Sequence, residues 1–157
     1  MTCLDQAEKS FRQAKNDFGL ILTLSRRATA HRLLGDYDAS LRDADEIIRL
    51  SEFSDEFQIF YAEALRVKGL ALYRLGQARQ STEFLEHSLN LHIHMNDTSS
   101  IPILYMETGM VYNAIGNYAE AGISYEKALQ IWRQEGNLSW QANLLNNLGV
   151  LRHFQGE

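Results

Sequence analysis

A turn built around glycine recurs at an almost constant interval along this chain. Gly35, Gly76, Gly116 and Gly156 each begin such a turn, and they lie 41, 40 and 40 residues apart. A fixed period of about 20 to 50 residues is typical of stacked supersecondary units, none of which buries its apolar face alone. We therefore expect a solenoid, an architecture that usually presents an extended surface to a partner.

The residues ahead of each turn glycine predict a first helix. Positions eleven, seven and four residues before the glycine hold mostly small or apolar residues, and this spacing places them on one helix face. The middle position is occupied by Ala28, Gly69, Gly109 and Gly149. Glycine inside a helix costs about 1 kcal/mol relative to alanine, so its recurrence indicates a second helix packed closely against the first.

The residues after each glycine predict that second helix. Five, nine and twelve residues beyond Gly35 stand Ser40, Ala44 and Ile47, and the later repeats keep the same spacing. Pro102 is the only proline of the 157 residues, so little interrupts the helices. We predict an all-α fold, an α-α superhelix (solenoid) of stacked antiparallel helix hairpins.

The repeats divide the chain into helical segments, and we expect residues 1–157 to form a single array. Residues 4–17 have the second-helix spacing without a first helix before them. Three hairpins and the first helix of a truncated fourth repeat follow, at residues 19–50, 55–95, 99–135 and 138–155. Because that last helix lacks its second helix, we expect Leu145, Leu148 and Gly149 to form an uncovered apolar patch. Either two copies associate through this patch, or a neighbouring chain covers it.

Composition limits the classes of function. A net charge of −5 and a pI near 5.5 disfavour direct nucleic-acid contact, which requires clustered lysine and arginine. Cys3 is the only cysteine, so no intramolecular disulfide can form and the cytoplasm is the expected location. The apolar runs, such as residues 18–22, are far shorter than the roughly 20 residues that cross a bilayer, so no membrane partner is expected.

The polar residues match no familiar catalytic or metal-binding motif. His87 and His94 share a helix face but lie two turns apart, too far to hold one ion, while His92 points elsewhere. The carboxylates near Asp43 and Glu46 are interpreted as the solvated face of a helix rather than as a catalytic pair. We predict no catalytic residue, no metal and no cofactor.

These patterns resemble the tetratricopeptide repeat, whose helix pair reads W-x2-L-G-x2-Y followed by A-x3-F. The period exceeds the standard value of about 34 residues and the closing proline is missing. This resembles the long-period subgroup found in kinesin light chain and in the sensor arrays of maltose-activator-like bacterial transcription regulators. The segments that carry the resemblance are Leu65-x3-Gly69-x2-Leu72, Tyr105-x3-Gly109-x2-Tyr112 and Ala121-x3-Tyr125-x2-Ala128.

The resemblance implies that the first helices line an inner, concave wall. Positions thirteen, ten, six and three residues before each glycine then face inward, and Arg74, one residue beyond this stripe, also faces near the wall. Arginines on this stripe offer charge-assisted hydrogen bonds to an acidic ligand, while amides and methionines suit a peptide. The alternative is that these side chains are merely solvated. The candidate ligand-binding residues are Arg32, Glu63, Arg66, Tyr73, Arg74, Met106, Met110, Asn113, Asn143, Asn146 and His153.

The predicted function is therefore non-enzymatic. We expect a module that binds a protein or peptide segment, or a small effector molecule, on its inner wall. The resemblance favours a piece of a larger bacterial regulator, in which the array passes a signal to a separate DNA-binding or nucleotide-binding domain. The alternative is a structural domain that self-associates through its ends or its convex face.

Overall fold

The structure, a computed structural model, describes residues 3–155, with side chains described up to residue 153. Within this range the chain contains eight α-helices, one short 3-10 helix and no strand. The prediction of an all-α fold is confirmed. The predicted recurrence of the turn at Gly156 lies outside the described residues.

Short turns separate the α-helices of the described residues. Among the described residues, no helix is both long enough and apolar enough to pass through a membrane. A 3-10 helix, Asp55–Phe57, precedes α4. The assignment of these helices to a single array stays a prediction. The α-helices are α1 (Cys3–Ala14), α2 (Asp17–Leu34), α3 (Tyr37–Ser51), α4 (Gln58–Arg74), α5 (Ala78–His94), α6 (Ile101–Ala114), α7 (Tyr118–Gln134) and α8 (Leu138–Gln155).

The helices are grouped into two compact units, with the boundary between Gln77 and Ala78. Unit 1 contains α1 to α4, and unit 2 contains α5 to α8. In unit 1, α2 packs against α1, α3 and α4, and α3 packs against α4. In unit 2 the helices pack in chain order, α5 on α6, α6 on α7 and α7 on α8.

The turn at Gly35 shows how one helix ends and the next begins. Gly35 has φ 83°, a left-handed conformation that glycine adopts without strain. The backbone N–H groups of Gly35 and Asp36 donate to the carbonyls of Arg32 and His31, which closes α2. Asp36 Oδ1 accepts a hydrogen bond from the N–H of Ala39 at 3.1 Å, which caps the start of α3.

Left-handed residues also end helices where the sequence has no glycine. Lys15 after α1 has φ 51°, and Asn96 after α5 has φ 56°. At the second of these turns, the N–H of Asp97 donates to the carbonyl of His92, as its counterpart does in the turn at Gly35. The same type of turn therefore occurs within repeats and between them.

The core of unit 1 lies among α2, α3 and α4. It includes Ile21, Leu24, Ile47 and Val67. The close approach predicted at Ala28 is confirmed, because Ala28 is fully buried and its carbonyl accepts a hydrogen bond from the buried Ser40 hydroxyl at 2.9 Å. A small residue at this position therefore allows α3 to cross α2 closely.

Gly109 provides the corresponding close approach in unit 2. A Cβ atom on Gly109 would lie 2.6 Å from the ring of the buried Tyr125 and 3.3 Å from the carbonyl oxygen of Ala121. The helices α6 and α7 therefore meet where only a hydrogen occupies the side-chain position. The close approach predicted at Gly109 is also confirmed.

The last helix differs in part from the expectation of an uncovered patch. Leu145 and Gly149 are exposed, but Leu148 is buried in the core of unit 2. The prediction was wrong for Leu148 because Leu144, Leu148 and Leu151 form an i, i+4, i+7 stripe in the same buried cluster as residues of α7. At Gly149 an added Cβ atom would meet nothing within 4 Å among the described residues.

Candidate functional site

The predicted ligand-binding residues of unit 1 lie on α2 and α4 and differ in exposure. Arg32, Glu63, Arg66 and Tyr73 are half-buried, while Arg74 is exposed. Arg66 lies one helical turn beyond Glu63, and its Nη1 is 3.4 Å from a Glu63 carboxylate oxygen. This pair is partly solvated, so its contribution to the free energy of unfolding is at most about 1 kcal/mol.

In unit 2 the predicted residues lie on α6 and α8. Met106 and Met110 are half-buried and pack against the core of unit 2, and Asn113 is also half-buried. The other three predicted residues are exposed on α8. They are Asn143, Asn146 and His153.

Two candidate residues share an unusual feature at the same repeat position, three residues before a turn glycine. Arg32 Nε in unit 1 and Asn113 Oδ1 in unit 2 are buried from solvent, and neither has a hydrogen-bond partner among the described residues. Buried polar atoms are nearly always hydrogen-bonded to protein or to ordered water. Each atom therefore lacks, within the described residues, the hydrogen bond that a buried polar atom normally makes.

Unit 1 contains a cavity of about 440 Å³ between α2 and α4. Ile47 of α3 also contributes to its lining, and most of the lining is apolar. The candidate residue Glu63 is the only one of the predicted set that lines it. The lining residues are Ser25, Arg26, Ala28, Thr29, Ile47, Ile59, Phe60, Glu63, Ala64 and Val67.

Sequence reasoning missed several of these residues. Ile59, Glu63 and Val67 are spaced by four and form one stripe along α4. This spacing is the sequence signal from which the face of α4 that lies toward α2 could have been predicted. Phe60 was also missed, and its ring makes an edge contact with that of Phe18 on α2 at a centroid distance of 5.9 Å.

Positive charge is concentrated on α2 and α4. Each helix carries three Lys or Arg residues and one carboxylate, although the whole chain is anionic. Arg27 and Lys68 are paired with carboxylates of α3, with N to O distances of 2.7 Å to Asp43 and 2.6 Å to Asp45. Arg26 is exposed and lines the cavity, so its charge is available there.

An ionic cluster joins α1, α2 and α3 in unit 1. Arg27 donates to Asp43 Oδ2 at 2.8 Å, to Asp5 at 3.2 Å and to Glu8. Arg12 donates to Glu8 and to Glu46, each at 2.7 Å. Such charge-assisted hydrogen bonds fix the three helices in one register.

The ionic cluster shows that one carboxylate is not solvated as predicted, and it shifts the pKa values of two of its members. The interpretation of Asp43 as a solvated carboxylate was wrong, since Asp43 is buried and held by Arg27 in a fork geometry. The pKa of Arg27 is raised, chiefly by the hydrogen bonds to Asp43. The hydrogen bond from Arg12 lowers the pKa of Glu46.

Polar contacts in unit 2 join α5 to the following turn and to α6. His92 is fully buried, and its Nδ1 lies 2.8 Å from Asp97 Oδ2. Hydrogen bonds from Ser99, Ser100 and His92 lower the pKa of Asp97 to about 2. No cluster of three His, Cys, Asp or Glu side chains that could hold a metal ion is found in the described part of the chain.

Tyr112 on α6 contacts α5 through its phenol. The hydroxyl donates to the carboxylate of Glu86. Burial and this hydrogen bond raise the pKa of Tyr112 to about 12. The contact is a structural link between two packed helices of unit 2.

Comparison with known sequences identifies one family. Residues 100–157 match the tetratricopeptide repeat. A comparison with curated proteins gives no match.

Comparison with solved structures shows the same fold in several proteins at low sequence identity. The apo form of RapI superposes with a TM-score of 0.89 at 15% identity, over 98% of this chain and 56% of RapI. Aspartyl phosphate phosphatase F from Bacillus subtilis gives a TM-score of 0.78 at 15% identity, over 90% of this chain and 38% of the phosphatase.

BtubC from P. vanneervenii gives a TM-score of 0.75 at 16% identity, over 99% of this chain and 68% of BtubC. The chain thus spans about half the length of RapI and less of the phosphatase. At these identities the likeness concerns the fold. Residues 100–157 therefore match the tetratricopeptide repeat, and the chain has the α-α solenoid fold.

Proposed function

We propose that the chain is a non-enzymatic binding module that holds a peptide or a segment of another protein against its first helices. The observation that carries this proposal is the pair of buried, unsatisfied atoms Arg32 Nε and Asn113 Oδ1. They occur at equivalent positions in the two units, both on the stripe selected from the sequence. In either unit taken by itself, a peptide backbone can supply the missing partner, an acceptor for Arg32 or a donor for Asn113.

The proposal favours a peptide over an enzyme substrate. Most of the candidate residues carry guanidinium, amide or thioether groups, which suit hydrogen bonding and apolar contact with a ligand. The similarity to aspartyl phosphate phosphatase F concerns the fold at 15% identity, so no phosphatase activity is proposed. We place the module in the cytoplasm because its single cysteine gives no sign of an oxidising compartment.

The test begins with peptides selected from a random 12-residue phage-displayed library on the purified chain. Selected peptides are synthesised, and their dissociation constants are measured by calorimetry with the wild type, Arg32→Ala and Asn113→Ala. Each substitution removes one hydrogen-bonding group that the bound peptide would use. We expect at least one of the two variants to bind about tenfold more weakly, a change of about 1.4 kcal/mol.

Matched controls on the second helices separate the stripe from general surface effects. Arg49→Ala on α3 and Asn90→Ala on α5 remove the same side-chain types at exposed positions. Both controls are expected to keep wild-type affinity. If every selected peptide binds equally to the stripe variants and loses affinity with a control variant, the proposed surface is wrong.

We further propose that the module belongs to a larger regulatory protein of bacterial type. The chain's fold is that of RapI, yet it spans only 56% of RapI. The deciding observation is the sequence on either side of these 157 residues in the gene product. A helix-turn-helix or a phosphate-binding loop there would support a transcription regulator, whereas a catalytic domain would contradict it.

Self-association is a second candidate function, favoured by the exposed face of α8. Leu145 and Val150 are 50% and 45% exposed, and the space beside Gly149 is open. If two copies pair through this face, Leu145→Glu should convert a dimer to a monomer in sedimentation velocity. Leu33→Glu, at an exposed position of α2 in unit 1, is the control that should leave the dimer intact. A monomeric wild type would exclude this function.

A further inference from the structure

We infer that the cavity of unit 1 is an anchor pocket for an acidic peptide, in which a phenylalanine or leucine side chain fills the cavity and a neighbouring carboxylate pairs with Arg26. This inference rests on the proposed function, since it names the class of peptide that the first helices would hold. The occupant is identified from the shape, the lining and the charge of the cavity.

The lining of the cavity selects a bulky apolar group. Its volume of about 440 Å³ falls within the range of roughly 300 to 1,000 Å³ that is typical of ligand pockets. Ala28, Ile47, Ala64 and Val67 line it and are themselves buried, so its deepest part offers no hydrogen-bonding side chain. Burying an apolar side chain there removes apolar surface from water on both partners.

An aromatic cluster borders this cavity at one end. Phe60 lines the cavity, and its ring meets that of Phe18 edge-on at a centroid distance of 5.9 Å. Phe18 also lies 6.5 Å from Phe57. These contacts place the ring of Phe60 in the pocket wall, and an aromatic wall favours another aromatic or branched side chain.

The charge around the cavity selects an acidic ligand. Arg26 is exposed and lines the cavity. The carboxylate in the lining, Glu63, is 3.4 Å from Arg66 and so does not stand as an uncompensated negative charge. An aspartate or glutamate beside the anchoring residue would form a charge-assisted hydrogen bond with Arg26.

The same face of α2 offers polar groups beyond the cavity, which favours a peptide over a small acid. Ser25 and Thr29 line the cavity, and Arg32 follows Thr29 by three residues, about 4.5 Å along the helix axis. Arg32 Nε is buried without a hydrogen-bond partner among the described residues. A ligand that fills the cavity and also reaches Arg32 needs a chain, and a peptide backbone carbonyl supplies the acceptor.

The test uses nine synthetic fluorescein-labelled pentapeptides with a variable centre and variable flanks. The central residue is Phe, Leu or Ala, and the two residues on each side are Asp, Ser or Lys. Fluorescence anisotropy measures the affinity of each for the full chain. We expect the Asp-flanked Phe or Leu peptides to bind at least about tenfold more tightly than either the Asp-flanked Ala or the Lys-flanked Phe peptide.

Two variants test whether the peptide binds in the cavity, and a third variant is the matched control. Thr29→Trp puts a large ring at the exposed mouth of the cavity, and Arg26→Glu reverses the rim charge at an exposed position. Each is expected to weaken the best peptide about tenfold or more. Arg42→Glu makes the same charge reversal at an exposed position of α3 outside the lining and should leave the affinity within about twofold.

A spectroscopic readout locates the bound peptide independently of the variants. The methyl signals of Ile59 and Val67, both in the lining, should shift on titration of the best peptide. The methyl signals of Ile123 on α7 of unit 2 should stay in place. Circular dichroism checks that each variant keeps the helical content of the wild type.

Each remaining outcome overturns the inference in a recognisable way. Tightest binding by Lys-flanked or Ala-centred peptides contradicts the acidic anchor, as does the absence of binding by any peptide up to about 1 mM. If free 3-phenylpropionate displaces the peptide at equal concentration, the pocket holds a small acid instead. If library-selected peptides bind through Arg32 or Asn113 but ignore Thr29→Trp and Arg26→Glu, the proposed function survives and this inference fails.

Discussion

The ring of Tyr125 on α7 occupies the space into which a side chain on Gly109 of α6 would project. A Cβ atom built on Gly109 would be 2.6 Å from that ring, which is itself buried and so has no room to withdraw. The identity of residue 109 therefore sets the distance between two helices of unit 2.

Replacement of Gly109 by alanine is expected to destabilise unit 2. The overlap with Tyr125 should lower the free energy of unfolding by about 1 to 3 kcal/mol, despite the better helix propensity of alanine. Urea unfolding followed by tryptophan fluorescence measures the change in unit 2, because Trp132 and Trp140 both lie there and stack at a centroid distance of 5.0 Å.

Gly149→Ala is the matched control for this prediction. Gly149 occupies the equivalent repeat position in α8, but nothing among the described residues lies within 4 Å of an added Cβ atom. This substitution should therefore stabilise the helix by up to about 1 kcal/mol. Equal effects of the two alanines would show that packing does not distinguish the two sites.

Removal of Arg27 is expected to weaken unit 1 strongly. Arg27→Met leaves the buried Asp43 carboxylate without its cation, and breaking a buried ion pair in this way costs about 3 to 5 kcal/mol. Urea unfolding followed by circular dichroism, together with hydrogen exchange of the α1 and α3 amides, measures the loss.

Two further variants test whether the buried charge causes that loss. Arg49 is 69% exposed, and its ion pair with Glu46, at 3.4 Å, is solvated and therefore weak. Arg49→Met should thus change the free energy of unfolding by less than about 0.5 kcal/mol. Adding Asp43→Leu to Arg27→Met should recover much of the stability, since no buried charge then remains unpaired. A double variant as unstable as Arg27→Met would contradict this explanation.

The lowered pKa of Asp97 predicts an acid-dependent contribution to stability. The folded-state pKa of about 2 lies below the usual 3.8, so the ionised carboxylate stabilises the folded state above about pH 4. That stabilisation is lost as the pH falls from about 4 through 2. Asp97→Asn should thus lower the urea midpoint at pH 7 and have little effect at pH 2, whereas Asp38→Asn, at an exposed position of α3, should change little at either pH.

The raised pKa of Tyr112 predicts the opposite dependence at alkaline pH. The neutral phenol is favoured in the folded state, so its stabilising effect is complete below pH 10 and is lost as the pH rises toward 12. Ultraviolet titration of phenolate formation should show one late component near pH 12. Tyr112→Phe should remove that component, and its persistence would assign the late titration to another tyrosine.

Much of the fold could be predicted because the period is carried by residues whose small size has a steric cause. Gly35 is needed for a left-handed turn, and Ala28 and Gly109 are needed where helices cross closely. Such requirements leave a repeated trace in the sequence. Lys15 and Asn96 are also left-handed, but they carry no such trace in the sequence, because residues other than glycine also adopt this conformation at helix ends.

The site was predicted less completely than the fold. The position of a residue along a helix fixes the direction of its side chain, but it does not show where a neighbouring helix leaves a cavity. Glu63 was selected from the stripe and does line the cavity, whereas Phe60 and Val67 were not selected. The buried state of Asp43 also escaped prediction, since it depends on Arg27 sixteen residues away in the chain. Contacts between helices, rather than the period, determine both features.

The repeated left-handed turns make parts of the chain interchangeable. Asn96 and Gly136 are forty residues apart, have φ values of 56° and 68°, and enclose α6 and α7. A copy of this block inserted after Gly136 would again begin and end at a left-handed residue, so the chain could be lengthened by whole hairpins through gene duplication.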